Sequence, residues 1–327
     1  MTDMHRGVEP ASVDAEYQRY LATLEAACLV LPDKPEETPM SMLRALWLAA
    51  SGDPCSVSAA QTRDLPALNA GARETLQQLV ERRMAGVPLA HLTGRQSFMG
   101  LELLAGPEAL VPRHETELLG YAALDVLQRI VASRGRALVL DLCTGSGNLA
   151  LALAHYEPRC EVIGGDVSPE AVGLARRNAE RMRLAERVRF VEGDLFALAD
   201  ASRLRYAADL VVCNPPYISS AKLAGMPREI VEYEPRLAFD GGVFGISLLL
   251  RLVAEAPHFL KPESWLCFEV GAGQGEPIAR RLDRSGAYGT VERVRDGAGE
   301  VRAILARTSG CPLDVSSVAP SVRWIAS

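Results

Sequence analysis

The spacing of apolar positions changes character twice along the chain. Over the first ninety residues Tyr17, Leu21, Leu24, Ala27 and Cys28 recur at helical spacing, as do Leu76, Leu79 and Val80 in a segment that begins near Asn69. Pro32-Asp33-Lys34-Pro35 and Ser51-Gly52-Asp53-Pro54 interrupt these stretches with residues that end helices and favour turns. A small helical bundle is predicted over residues 1–93. From Gly94 to Val111 the apolar runs shorten, and Gly100 and Gly106-Pro107 mark turns, which predicts a hairpin inside a linker at residues 94–118.

Beyond Arg134 the pattern becomes one of short apolar runs, at residues 137–142, 161–165, 188–191 and 208–213, the first three separated by helical stretches at 149–155 and 169–183. That alternation predicts an α/β domain over residues 119–307, with a mostly parallel sheet covered by helices on both faces. Residues 265–270 read as a further buried strand, and 289–294 with 301–306 as an antiparallel hairpin that closes the sheet. Residues 308–327 mix Ser, Pro and Val without a period and are expected to be a flexible tail.

Composition narrows the function classes. A chain of 327 residues, 48% of them hydrophobic, can build one large domain and a smaller one. A net charge of −6 and a pI near 5.5 argue against affinity for nucleic acid through phosphate neutralisation, so no direct nucleic-acid partner is expected. The seven cysteines form no C-x-x-C pair, and His5, His91, His114, His155 and His258 lack metal-ligand spacing; neither a disulfide framework nor a metal is expected. No apolar run reaches membrane-spanning length, and a cytoplasmic protein is the expectation.

Two segments carry chemistry. Val139-Leu140-Asp141-Leu142-Cys143-Thr144-Gly145-Ser146-Gly147-Asn148 reads as a strand, a glycine-bearing turn and a helix, a form that lets backbone approach a ligand closely. A tight turn that binds nothing has the same local form. Asp166 follows the next strand nineteen residues after Gly147, where nucleotide-binding units place an acid on ribose hydroxyls. Its other reading, a cap ahead of Pro169, suits Ser168 better. The loop lacks the third glycine of a dinucleotide site and the G-K-[ST] of a P-loop, so adenosyl binding without pyrophosphate fits best, with S-adenosylmethionine as the expected cofactor. Asp141 can hold the ammonium of that cofactor or brace the loop by accepting backbone N–H bonds. Asp194, after the third strand, can accept from the adenine amino group with Leu195 or Phe196 against the ring, or those two can be core.

Asn214-Pro215-Pro216-Tyr217 follows the strand at 208–213 directly. Two prolines stiffen the backbone and remove two donors, leaving a surface of carbonyl oxygens and the Asn side chain. A substrate –NH2 has two protons to give, and Asn214 Oδ1 with the Pro215 carbonyl can each take one, turning the nitrogen lone pair out of conjugation. Tyr217 would stack on the flat group. The pattern predicts methyl transfer to a planar nitrogen.

The motifs together resemble a known family. Arg82-Arg83, Gly86-Val87-Pro88-Leu89, Leu92-Thr93-Gly94, Val111-Pro112-Arg113-His114-Glu115-Thr116-Glu117, the two segments above, Asp166-Val167-Ser168, Tyr233-Glu234-Pro235-Arg236-Leu237-Ala238, Glu269-Val270-Gly271 and Gln274-Gly275 occur in family order between residues 74 and 307. The chain is similar to the glutamine methyltransferases that modify the Gly-Gly-Gln motif of peptide chain release factors, and to their ribosomal-protein relatives. The resemblance implies a seven-stranded class I (Rossmann-like) methyltransferase sheet, a helical domain that recruits a protein substrate, and S-adenosylmethionine as methyl donor. It places Cys143, Thr144, Gly145, Ser146, Gly147, Asp166, Leu195 and Asn214 at the cofactor, and Asn214, Pro215, Pro216 and Tyr217 at the glutamine amide; Asp141, Val167 and Asp194 are further candidates for the cofactor site. Arg113 and Glu115 either shape the substrate entrance or, with Glu117, bridge hairpin and helix; Glu232 and Glu234 either contact a lid or are solvated. His114 stands where the release-factor branch usually has Pro, and Cys143 where it usually has Gly. Asp240-Gly241-Gly242-Val243-Phe244-Gly245 lacks the usual acid before its last Gly, and Asp296-Gly297-Ala298-Gly299-Glu300-Val301-Arg302 matches the family's ending only loosely. These departures leave open a specialised methyltransferase of a small metabolite built on the same core, and a non-catalytic adenosyl-binding protein is the third alternative.

Overall fold

The computed structural model describes residues 10–27, 34–198, 201–226, 228–242 and 245–310. Cys28, Pro32, Asp33, Val243, Phe244 and the expected tail from residue 311 lie outside the described residues. The helical start comprises α1 (Pro10–Ala27), α2 (Pro39–Ala50), α3 (Val57–Ala60), α4 (Ala70–Met84) and α5 (Leu89–Thr93). Local chemistry sets their beginnings: Thr38, Ser56 and Asn69 accept from the N–H groups of Ser41, Ala59 and Ala72. Helix α2 is apolar nearly all round and forms the centre of the bundle, with Met42, Leu43, Leu46 and Trp47 fully buried. The Trp47 indole N–H donates to the Pro66 carbonyl at 2.8 Å, which satisfies the polar atom of the largest buried side chain.

The hairpin is β1 (Arg95–Phe98) with β2 (Leu101–Leu104), as the sequence predicts, and α6 (His114–Arg134) begins inside the segment expected to be linker. The large domain then runs β3 (Ala137–Leu142), α7 (Asn148–Tyr156), β4 (Cys160–Asp166), α8 (Pro169–Arg181), β5 (Val188–Asp194), β6 (Ala197–Leu198), β7 (Ala208–Cys213), α9 (Arg228–Tyr233), α10 (Ser247–Glu255), β8 (Leu260–Glu269), α11 (Gly275–Arg284), β9 (Tyr288–Arg295) and β10 (Val301–Thr308). The strand order is β6-β5-β4-β3-β7-β8-β10-β9. Strands β5, β4, β3, β7 and β8 are parallel, and β10 pairs antiparallel with both β8 and β9, closing the sheet with the expected hairpin. This is the class I methyltransferase sheet, with one correction: it has eight strands, not seven. After β5 the chain turns through Leu195, whose φ is 51°, and Ala197-Leu198 pair back on the β5 edge.

Strand periodicity divides the core in two. Val139, Leu210, Val212 and Cys267 face the side packed by α6 and α7, while Leu140, Leu142, Val211, Cys213 and Phe268 face the side packed by α10 and α11. Both faces of the central strands are therefore dry, which explains their unbroken apolar runs.

An ionic cluster fastens the helical start to the large domain. Glu229 on α9 is paired with Lys34 and, at 2.7 Å, with Arg83 on α4; Arg83 also lies 3.5 Å from Glu37. All four side chains are buried. Burial pushes the carboxyls up, and Lys34 and Arg83 more than offset this for Glu229 and hold it below the usual range, whereas Glu37 stays raised. Removing the Glu229 charge would leave two buried cations with Glu37 as their one remaining carboxylate in the cluster, so Glu229→Gln should lower unfolding free energy by about 3–5 kcal/mol. Denaturant unfolding that shows less than about 1 kcal/mol of loss would contradict this role for the cluster.

Candidate active site

The carboxyl ends of β3, β4, β5 and β7 open into a cleft of about 770 Å³, at the point where strand order reverses about β3. Its wall includes Cys143, Thr144, Gly145, Asp166, Val167, Asp194, Leu195 and Asn214, so the structure brings together most of the residues foreseen at the cofactor. Asp141, Ser146 and Gly147 are buried and do not line it.

The loop after β3 is shaped by backbone constraints. Gly147 has φ 82°, and a Cβ there would stand 2.8 Å from Phe190 Cζ, so the position excludes a side chain. Cys143 has φ 56°, a left-handed conformation that explains the Gly usual in the family and costs a non-glycine residue about 1 kcal/mol. Asp166 Oδ2 accepts from Gly145 N–H at 2.9 Å and Oδ1 from Ser168 N–H at 3.0 Å, which fixes the carboxylate at the cleft wall with lone pairs to spare. Burial raises its pKa and these backbone donors lower it. Ser168 caps α8 through Ala171 N–H, as expected.

For Asp141 the geometry realises the loop-bracing alternative. Its Oδ2 accepts from Thr144 Oγ1 at 2.5 Å and from Ala150 N–H at 3.1 Å, tying the loop to the start of α7. Asp194 lines the cleft, but both of its oxygens take bonds from Arg251 Nη1, at 3.1 and 3.0 Å. Leu195 and Phe196 are both buried in the core, and Leu195 also faces the cleft.

A second cavity of about 130 Å³ adjoins the first and is lined by Asn214, Pro215, Pro216, Tyr217, Arg113, Glu115, Thr116 and Glu269. Asn214, Pro216, Arg113 and Thr116 line both spaces, so the two meet at Asn214. Asn214 Nδ2 donates to Thr116 Oγ1 at 3.0 Å. Tyr217 Oη donates to Glu269 Oε1 at 2.8 Å, and burial beside that acid pushes the phenol well above its ordinary pKa. Burial likewise raises Glu269, against the Thr116 and Tyr217 hydroxyls and Arg302. Gln274 braces the loop from behind, with Nε2 donating to the carbonyls of Tyr217 and Gly245 at 3.0 and 3.2 Å. Gly245, at φ 68°, lets its backbone lie directly against that of Tyr217.

The segment before α6 joins the wall through Glu234, which is buried and accepts from Val111 N–H at 3.1 Å and from Arg113 at 2.5 Å. Glu234 is thus a buried brace of that segment rather than solvated, while Glu232 is exposed and pairs with Arg228. Glu115 pairs with Arg302 on β10, and Glu117 bridges to the hairpin through Met99 N–H at 2.6 Å. Exposed His114 lies 3.1 Å from Glu117. Thr116, Glu269 and Gln274 build the site although no role for them follows from sequence. Their motifs are visible there, but their partners lie 52 to 98 residues away.

Residues 135–276 match the family model described as a methyltransferase domain. The release factor glutamine methyltransferase of Moorella thermoacetica is 40% identical over 229 residues, covering 70% of this chain and 78% of the relative. That of Deinococcus radiodurans is 40% identical over 231 residues, covering 71% and 78%, and that of Geobacter sulfurreducens 41% over 208 residues, covering 64% and 69%. The chain belongs to the release factor glutamine methyltransferase family. It is a methyltransferase that uses S-adenosylmethionine. The fold also appears in the crystal structure of the hMettl16 catalytic domain in complex with MAT2A 3'UTR hairpin 1, at 19% identity, 70% and 80% coverage and a TM-score of 0.53. Among the described residues of the methyltransferase, no helix is long and apolar enough to cross a membrane.

The buried acid of the cofactor loop has a consequence for pH. Burial raises Asp141 from 3.8 to about 7, against the bonds from Thr144 and Ala150. The folded methyltransferase therefore binds this proton more tightly than the unfolded chain, and stability is lost as pH rises from 3.8 through about 7. Asp141→Asn keeps an acceptor and removes the titration, so its thermal midpoint should change less than that of the wild type between about pH 5 and about pH 8. An equal change in the two proteins would show that Asp141 is not the titrating group.

Proposed function

We propose that this methyltransferase alkylates the side-chain amide nitrogen of a glutamine in a peptide chain release factor, within its Gly-Gly-Gln motif. The observation that carries the reading is the junction of a large cleft and a small cavity at Asn214. The large space has the size of a small-molecule site. The small one suits a side chain rather than a whole metabolite, which favours a protein substrate over a small molecule.

In this reading Asp166 takes the ribose hydroxyls, the loop of Cys143, Thr144 and Gly145 approaches the amino acid end, and Val167 and Leu195 flank the adenine. When bound, S-adenosylmethionine supplies a methyl group activated by its sulfonium. Asn214 Oδ1 and the Pro215 carbonyl each accept one hydrogen bond from the glutamine –NH2. The amide lone pair, normally shared with its carbonyl, is thereby turned towards the cleft. Positioning of this kind can contribute roughly 7–11 kcal/mol. The methylated nitrogen is acidic and releases its proton to water, so no strong base is needed. Arg113, held by Glu234, borders the entrance. The helical start recruits the protein substrate, and its buried ionic link to α9 holds the segment that contains Glu234 in register with the site.

Purified protein with labelled S-adenosylmethionine should label a release factor bearing Gly-Gly-Gln, and replacement of that glutamine by alanine should abolish the label. Asn214→Ala should lower kcat by about a hundredfold or more, because one of two orienting acceptors is lost. Asp166→Ala should instead weaken cofactor affinity, read by calorimetry. Label that persists without the glutamine, or wild-type turnover in Asn214→Ala, would overturn the assignment.

A further inference from the structure

We propose that Arg251 reads the base of the cofactor, forming with Asp194 a donor and acceptor couple that matches the N1 acceptor and the 6-amino donor of adenine. The proposal rests on the cofactor placement given above, with Asp166 at the ribose, and does not depend on which substrate takes the methyl group. The ends of β3, β4 and β5 are neighbours in the sheet and carry the Cys143 loop, Asp166 and Asp194 in that order. Adjacent strands lie about 4.8 Å apart. A nucleoside laid along the strand ends with its ribose at Asp166 therefore brings its base to Asp194. The Asp194 carboxylate can accept from the amino group, but it cannot serve the ring nitrogen beside that group, because a carboxylate donates nothing.

Arg251 on α10 supplies the missing donor, and both residues line the large cleft. Its Nη1 donates to Asp194 Oδ1 and Oδ2 at 3.1 and 3.0 Å, and its Nε to Glu255 Oε1 at 3.4 Å. Among the described residues Nη2 makes no hydrogen bond, which leaves its two N–H groups for a ligand. A guanidinium is planar and rigid, so anchoring two of its nitrogens fixes the third. The carboxylate has about four lone-pair sites, of which Arg251 takes one on each oxygen. Side by side at the cleft, the couple thus offers one acceptor and one donor. The adenine edge is its complement, with an amino group that donates next to a ring nitrogen that accepts. The two side chains are 43% and 56% exposed, and an ion pair so open to water contributes little to folding. Recognition rather than stability is what this pair can contribute.

Calorimetry on the full chain with S-adenosylhomocysteine and its 1-deaza analogue, in which C–H replaces N1, isolates the contact. The wild type should bind the 1-deaza compound on the order of ten- to a hundredfold more weakly. Arg251→Met keeps the apolar stem and removes the donors. It should lose a similar factor for the parent compound and bind the two within about twofold of each other. Arg251→Ala gives the same comparison should the Met variant fail to fold. Equal binding of both compounds by the wild type, or an undiminished preference in the Arg251 variant, would overturn the role. Asp166→Ala should weaken both compounds by the same factor; unchanged affinity there would sink the ribose placement, while the Arg251 comparison still decides the reading of the base.

Discussion

The site depends on the parallel pairing of β3 with β7. Their register sets Leu142 beside Cys213, so the chain leaves the two strands at the same level, into the Cys143 loop on one and Asn214 on the other. Parallel strands end on the same side, and here the two adjacent ends carry the glycine-bearing loop that starts at Cys143 and the Asn-Pro-Pro-Tyr loop. Everything else in the site is arranged around that fixed separation: β4 delivers Asp166, β5 delivers Asp194, and β8 delivers Glu269. A slip of β7 by one residue would turn Val211 and Cys213 into the wrong half of the core, so burial on both faces defends the register.

Around this frame the polar side chains form a second, buried scaffold. Asp141, Asp166, Glu234 and Glu269 each join segments that are distant in sequence or fix the backbone of a loop. A carboxylate suits this work because it accepts several bonds and donates none. Burial raises Asp141, Asp166 and Glu269 above the ordinary carboxylate range. The acids thus sit close to the strand ends at some electrostatic cost, and in return the loops of the site have little freedom to relax away from the cleft.

The departures from the family pattern look different in three dimensions. Cys143 occupies a left-handed backbone position next to β7, so it substitutes for glycine at a conformational cost but without blocking the cleft. His114 is exposed and faces Glu117 at the first turn of α6. Neither alters the junction at Asn214.

Sequence by itself determined the alternation of strands and helices, the closing hairpin, the glycine-bearing turn after β3, and the Asn-Pro-Pro-Tyr segment. Each of these is local: periodicity, turn residues and motif spacing act over a few residues, and a strand buried on both faces announces itself as an unbroken apolar run. The short β6 escaped notice because two residues carry no period. Tertiary structure alone decided what the polar residues do. In the chain Asp141 reads as a cofactor ligand or a brace, and only its burial and the bonds Oδ2 accepts from Thr144 and Ala150 reveal the bracing. Glu115 and Glu117 look equivalent in the chain, yet one turns to Arg302 and the other to the hairpin. Thr116 and Glu269 are 153 positions apart and line the same small cavity because α6 packs against β8. A side chain's partner is a property of packing between elements, and no local pattern encodes it.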